Sequence, residues 1–344
     1  MRKINIAILG ATGAVGEEFL RLLAERRFPY ASIKLLASPR SAGRQVKVGE
    51  EVYTVEAVSH DSFKGVDVAF FSAGGDVSLE YAPAAVRAGA VVIDNTSAYR
   101  LDPEVPLVVP EVNAEDIAKH KGIIANPNCS TIIMVVALSP LHQAAGIKRV
   151  VVSTYQAVSG AGIEAIDELN EQVKAHLEGR EITARVLPFA SAAKHYQIAF
   201  NVIPHIDVFQ ELDYTKEEWK MVKETQKILH VPDMKVTATT VRVPVYRSHS
   251  ESINIEFERE MTPELAREVL GKAPGVVVMD DPANMVYPMP LDASGKDPVY
   301  VGRIRKDDTV PYGLNIWVVG DQIRKGAALN GLQIAEYMLA ANLL

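Results

Sequence analysis

Over the first third of the chain, apolar residues come in short dense runs separated by glycine and small polar residues. Ile4-Asn5-Ile6-Ala7-Ile8-Leu9 reads as a buried strand, and the pattern from Val15 to about Arg26 reads as a helix. The alternation continues with a strand over Ser32–Ala37, a strand over Val66–Ser72, a helix from about Val77 to Ala88 and a strand over Ala90–Asp94. Strands that alternate with helices and end in small polar residues predict a doubly wound parallel sheet with helices on both faces, a Rossmann-like arrangement. Ile132–Leu138 is apolar throughout, as a buried helix or strand would be. Asn128 and Ser130 are good helix N-caps, and Pro127 cannot sit far inside a helix. A buried helix opening near Cys129 is therefore expected.

Past this point the pattern changes. Arg149–Gln156 alternates as a strand, a helix is predicted from about Glu164 to Glu178, and another starts at Thr215. Strands follow near 235–246, 252–258, 275–279, 298–305 and 313–319. This strand-rich stretch predicts an α+β region with a mixed or antiparallel sheet. A broad face of such a sheet commonly packs on a symmetry mate, so a homodimer is expected. A final amphipathic helix, from about Lys325 to Ala341, follows too late to serve those strands and is expected to return to the first sheet. The expected division is 1–128, completed by 324–344, as the domain of the parallel sheet, and 129–323 as the domain of the mixed sheet, through which the chain dimerises.

A length of 344 residues suits two cores. The net charge of −7 argues against a nucleic-acid partner. One cysteine forms no internal disulfide and offers no metal framework, so no metal is expected. The chain opens without a signal-type h-region and holds no apolar run of membrane-spanning length. A cytoplasmic enzyme or binding protein is the expectation.

Gly10-Ala11-Thr12-Gly13-Ala14-Val15-Gly16 joins the first strand to the first helix. Strand, glycine turn, helix is the context of a pyrophosphate-binding turn. The G-x-x-G-x-x-G spacing also fits a glycine-rich turn without a ligand. The second strand ends in Ser38, Pro39, Arg40 and Ser41, with no acid for a ribose hydroxyl; a guanidinium and two hydroxyls suit a 2′-phosphate, favouring NADP over NAD. Arg100 lies just past a strand end and is a candidate anion ligand. Cys129 at a helix mouth fits both an activated thiolate and a small buried hydrophobe. A thiol nucleophile beside a nicotinamide points to aldehyde oxidation or acyl reduction through a thioester, and needs a proton-handling group. Among eight histidines, His249 stands out, between two predicted strands with small polar neighbours and Arg242 upstream.

Gly10–Gly16, the Asn-Pro-Asn-Cys-Ser-Thr stretch at 126–131, Gln156, Arg242-Val243-Pro244-Val245 and His249-Ser250-Glu251-Ser252 together resemble the aspartate-β-semialdehyde dehydrogenase family, in family order and over essentially the whole chain. The resemblance implies reversible NADPH-dependent reduction of L-4-aspartyl phosphate to L-aspartate 4-semialdehyde and phosphate, on the route to lysine (through diaminopimelate), threonine and methionine. It implies Cys129 as the acyl-forming nucleophile, His249 as the acid/base, and Gln156 as the residue orienting the intermediate. It further implies Arg242 on the substrate carboxylate, Glu217 facing its amino group, and Arg100 with Lys220 on phosphate. Gly10, Ala11, Thr12, Gly13, Ala14 and Val15 match the pyrophosphate turn, and Arg40 with Ser38 and Ser41 the 2′-phosphate. Ser159, Gly160 and Gln322 match cofactor contacts, Gln322 standing where many relatives carry Asn. N-acetyl-γ-glutamyl-phosphate reductase is the nearest alternative, but Asn128 before and Ser130-Thr131 after the cysteine fit the aspartyl enzyme better. A non-catalytic NADP-binding regulator is another; it would be expected to lack Cys129, His249 or Arg242.

Overall fold

The first apolar run forms β1 (Ile4–Leu9), followed by α1 (Ala14–Glu25) and β2 (Tyr30–Ala37) in the computed structural model, which describes residues 2–344. A hairpin of β3 (Gln45–Val48) and β4 (Glu51–Thr54) comes next, then β5 (Glu56–Ala57), β6 (Val68–Phe71), α2 (Gly75–Arg87), β7 (Val91–Asp94), the short α3 (Pro110–Asn113) and β8 (Ile123–Ala125). Six strands make one sheet in the order β5-β2-β1-β6-β7-β8. Every pairing in it is parallel.

The period-two alternation of β1 explains the layering. Ile4, Ile6 and Ile8 pack against Phe19, Leu22 and Leu23 of α1 and against Leu332, Ala335 and Met338 of the C-terminal helix Leu329–Ala340. Ala7 and Leu9 pack on the opposite face with Ala82 and Ala85 of α2 and with Phe63 and Phe71. Each large apolar side chain buried here contributes about 1.5–3 kcal/mol. The sheet is thus doubly wound, as expected. These elements form one compact unit, the described residues up to Asn128 together with Gly326–Leu344; the other unit is Cys129–Lys325.

The second unit opens with α4 (Cys129–Ala145), in which every residue from Ser130 to Ser139 is buried. A helix apolar on all sides belongs inside a core. Then come β9 (Ile147–Gln156), α5 (Ile163–Leu177), α6 (Lys216–Ile228), β10 (Lys235–Arg242), β11 (His249–Phe257), α7 (Pro263–Lys272), β12 (Val276–Val278), α8 (Pro290–Ala293), β13 (Val299–Asp307) and β14 (Gly313–Gly320). Thr215 starts α6 with a capping box: its hydroxyl accepts from the Glu218 N–H, and the Glu218 carboxylate accepts from the Thr215 N–H. The strand order is β10-β9-β11-β14-β13-β12. β9 with β10 and β12 with β13 are parallel and the other pairings antiparallel, so the sheet is mixed.

One face of this sheet carries α4 and α6. On the other, the rings of Tyr155 and Trp317 lie 5.4 Å apart, and Tyr155 is 39% exposed. His249, expected between two strands, is instead the first residue of β11. The polar run His249-Ser250-Glu251 hides the strand in the sequence, although all three residues are buried. Among the described residues no helix is long and apolar enough to cross a membrane.

Candidate active site

Register assembles the site. Arg242, the last residue of β10, pairs with Gln156, the last residue of β9. On the far side of β9, Ser250 pairs with Tyr155, which sets His249 level with Gln156 across β11. His249 in turn pairs with Gly320, the last residue of β14. Four neighbouring strands therefore present Arg242, Gln156, His249 and Gly320 in one row at one edge of the sheet. Directly paired residues share a face, and Arg242, Gln156 and His249 are all buried. Gly320 lacks a side chain because α4 crosses there: a β-carbon would lie 2.9 Å from Cγ1 of Ile133. That approach brings the start of α4 over the row.

Cys129 is the first residue of α4, and its Sγ lies 3.6 Å from Nε2 of His249. The other ring nitrogen, Nδ1, is 3.1 Å from the backbone nitrogen of Ala157. A backbone N–H can only donate, so Nδ1 accepts and the single proton of the neutral imidazole sits on Nε2, facing the sulfur. The imidazole is held neutral, its pKa pushed down to about 3, first by burial and then by the Arg242 charge, with Glu217 opposing. Around the sulfur stand the start of a helix, the His249 N–H and the Arg242 guanidinium, with which it interacts, groups of the kind that favour a thiolate.

Arg242 is 3% exposed. Its Nη1 donates to the carbonyl of Ala157 at 2.8 Å, so one residue's peptide group holds both His249 and Arg242. Its Nε has no hydrogen-bond partner among the described residues. Burial lowers the pKa of this guanidinium, and Glu217 and Cys129 raise it. A buried guanidinium with an unpaired Nε donor fits a carboxylate. Gln156 donates to Glu217 Oε1 and to Thr154 Oγ1, both at 3.3 Å. Glu217 Oε2 and Asp207 Oδ2 each lie 3.0 Å from Nζ of Lys220. A β-carbon on Gly160 would fall 2.9 Å from Nη1 of Arg242 and 3.1 Å from Cε1 of His249, so this glycine leaves room between the two. Gln322 joins the Ser159 hydroxyl to the Ser248 N–H.

Cys129, Gln156, Ser159, Gly160, Glu217, Lys220, Arg242, His249 and Gln322 thus fall within one unit. The remaining predicted residues belong to the other. Gly10 has φ +92°, and a β-carbon there would press on the Ser72 backbone at 2.9 Å. A β-carbon on Gly16 would meet the Gly10 carbonyl at 2.2 Å. Gly13 meets nothing closer than 3.5 Å, and as N-cap of α1 it supplies no side-chain cap. Its missing side chain leaves the helix-start N–H groups open to an anion. Ala11, Thr12, Ala14 and Val15 complete that turn. Ser38 and Arg40 are exposed and Ser41 half-buried after β2. Arg100 is buried, donating from Nε to the Asn126 carbonyl at 2.9 Å and from Nη2 to the Asn95 carbonyl at 2.8 Å. It therefore anchors the segment that leads into Cys129. Ala157 acts through its backbone N–H and carbonyl, which leave no motif in the sequence. Asp207 was also missed, lying in a region without clear periodicity.

Known proteins match the chain along nearly its whole length. Residues 5–120 match the model of the semialdehyde dehydrogenase NAD binding domain, and 138–325 match the semialdehyde dehydrogenase dimerisation domain. An aspartate-semialdehyde dehydrogenase of Aquifex aeolicus is 58% identical over 343 residues, 99% of each chain. The crystal structure of aspartate semialdehyde dehydrogenase II of Vibrio cholerae complexed with ASA superimposes with a TM-score of 0.94 at 46% identity, covering 99% of each chain. The enzyme of Candida albicans, solved with NADP, gives a TM-score of 0.76 at 28% identity over 100% of each chain. A row of Arg242, Gln156 and His249 beneath a helix-start thiol, on a chain so closely matched from end to end, leads to one conclusion: the chain belongs to the aspartate-semialdehyde dehydrogenase family.

Proposed function

We propose that the chain is an NADP-dependent phosphorylating aldehyde dehydrogenase that reversibly reduces L-4-aspartyl phosphate to L-aspartate 4-semialdehyde and phosphate, serving lysine, threonine and methionine synthesis. The observation that carries this reading is the 3.6 Å contact between Cys129 Sγ and the Nε2–H of His249, beside the unpaired Nε of Arg242.

Each residue then has a task. Arg242 receives the substrate α-carboxylate on its fork, and Glu217 faces the ammonium group. The free ammonium is what separates this substrate from an N-acetylated one, and a carboxylate beside Gln156 suits it. Cys129 attacks the acyl carbon, and the oxyanion develops near the start of α4, where backbone donors are preorganised. His249 donates from Nε2 to the charge that builds there. Phosphate is the leaving group, Lys220 and Arg100 being the residues we propose for binding it, and an acyl thioester remains on Cys129. When bound, the nicotinamide supplies the hydride that converts the thioester to the aldehyde. Release of the aldehyde restores the Cys129 thiolate beside the Nε2–H.

The glycine turn at Gly10–Gly16 would hold the pyrophosphate, and Ser38, Arg40 and Ser41 the 2′-phosphate. Ser159, Gly160 and Gln322 would face the nicotinamide end. We place the reaction in the cytoplasm. The active form is a homodimer, with the exposed sheet face around Tyr155 and Trp317 as the contact; the family description of 138–325 as a dimerisation domain supports this.

The deciding assay follows NADPH formation from aspartate semialdehyde with and without inorganic phosphate. Phosphate-dependent turnover that disappears in Cys129→Ala, while NADPH still binds, is the expected result. Turnover only with the N-acetylated glutamate semialdehyde, or undiminished turnover in Cys129→Ala, would overturn the assignment.

A further inference from the structure

The residue before His249 is held in a conformation that side chains avoid. Ser248 has φ +74° and is 0% exposed. Residues with a β-carbon avoid the left-handed region on steric grounds, and such strain persists only where the surroundings enforce it.

The surroundings of Ser248 do enforce it. Its N–H donates to Oε1 of Gln322 at 2.8 Å. Its hydroxyl lies 2.9 Å from Oγ of Ser294. The Ser294 hydroxyl is also 2.8 Å from the Pro290 carbonyl and 3.3 Å from the Arg247 carbonyl. A hydroxyl has one proton, and carbonyls only accept, so Ser294 donates to a carbonyl and accepts from Ser248. One residue earlier, Arg247 Nε donates to Oδ2 of Asp321 at 2.6 Å, and the same oxygen accepts the Gly295 N–H at 2.7 Å. Residues 247–248 are thus fastened to 294–295 on one side and to 321–322 on the other.

This fastening has a direction. Ser248 is the last residue before β11, so its backbone dihedrals set how the chain enters His249. Beyond His249 the strand is fixed by its ladders to β9 and β14. Rotation at Ser248 would tilt the imidazole between the Ala157 N–H and the Cys129 sulfur. We propose that Ser248 is a positioning residue for the reaction: its left-handed turn, locked through its hydroxyl by Ser294 and through its N–H by Gln322, aims the Nε2–H of His249 at Cys129. The proposal rests on His249 acting at Cys129 as described above.

The test uses full-length Ser248→Ala, Ser294→Ala, the double variant, Ser294→Thr, and His249→Ala as reference. Ser248→Ala and Ser294→Ala each remove the same hydroxyl link from opposite ends. Each is expected to lower kcat about tenfold, with KM for semialdehyde and for phosphate within twofold of wild type and the melting temperature little changed. The double variant should be no slower than either single one, because one link is lost in all three. Ser294→Thr keeps a hydroxyl and should return kcat to within about threefold of wild type. Alkylation of Cys129 by iodoacetamide should move to higher pH in the Ala variants. Unchanged kcat in both Ala variants, multiplicative losses in the double, or no recovery with Ser294→Thr would each overturn the proposal. Undiminished turnover in His249→Ala would instead overturn the role of His249 itself, whatever Ser248 does.

Discussion

The backbone N–H of Ala157 points at Nδ1 of His249, 3.1 Å away, and so fixes the tautomer of the imidazole: hydrogen on Nε2, none on Nδ1. His249 is therefore a donor towards Cys129 in the resting protein. It does not stand ready to take the thiol proton, and protonating Nδ1 would set two N–H groups against each other.

A pH dependence follows. The folded pKa of His249 is pushed down to about 3, from an ordinary 6.5. Alkylation of Cys129 between pH 5 and 8 should show no inflection from the imidazole, and ring-proton NMR should find it neutral at pH 5. The sign for stability is equally definite. Below pH 6.5 the unfolded chain binds a proton that the folded chain refuses, so stability is lost as pH falls towards 3, at up to about 1.4 kcal/mol per pH unit. His249→Asn should flatten that limb in denaturant titrations; an unaltered acid limb would contradict it.

Glu251 predicts the opposite slope. It lies on β11 in a buried position, both carboxylate oxygens lack hydrogen-bond partners among the described residues, and burial raises its pKa well above the ordinary 4.5. The folded chain retains a proton that the unfolded chain releases above pH 4.5, so this group weakens the fold as pH rises. The melting temperature of Glu251→Gln relative to wild type should climb from pH 4.5 to 8. A difference that stays constant over that range would show that Glu251 is ionised.

Gly160 and Arg242 form a linked pair of predictions. Gly160→Ala puts a β-carbon 2.9 Å from Arg242 Nη1. Displacing a clamp by a fraction of an ångström can cost on the order of 100-fold. A fall in kcat/KM of about 10–100-fold for the semialdehyde is expected. Arg242→Lys should raise KM at least about tenfold, because a point charge replaces a fork. An unchanged KM in steady-state kinetics would remove Arg242 from the carboxylate site.

Arg40 is exposed after β2 and has no ion-pair or hydrogen-bond partner among the described residues. Arg40→Ala should weaken NADP binding about tenfold or more and leave NAD within twofold in fluorescence titrations. Equal losses for both would show that Arg40 does not read the 2′-phosphate.

How much of this was legible in the sequence varied with the physics of each element. β1, the glycine turn and α1 were plain, because strand period, steric need for glycine and helix period all agree there. α4 was recognisable as buried from Ile132–Leu138 alone. The β3–β4 hairpin gives little sequence signal, since its strands have four residues each and are mostly exposed, and β8 has only three residues. The start of β11 is hidden in the sequence because His249, Ser250 and Glu251 are polar yet buried. Motifs named Arg242, Gln156 and His249, but nothing in the sequence puts them side by side. That depends on strand register, which long-range pairing decides. Ser248 was equally silent, since a backbone dihedral leaves no mark on residue type.

The thiol at the head of α4 is the chain's one cysteine. Any sulfhydryl reagent is therefore an active-site titrant, and the moles of label taken up count competent centres without background. The same economy leaves the protein without an internal remedy for peroxide. A sulfenic acid formed at position 129 has no second cysteine in its own chain to resolve it as a disulfide. Its recovery depends on an outside thiol arriving before further oxidation to the sulfinic acid makes the loss permanent.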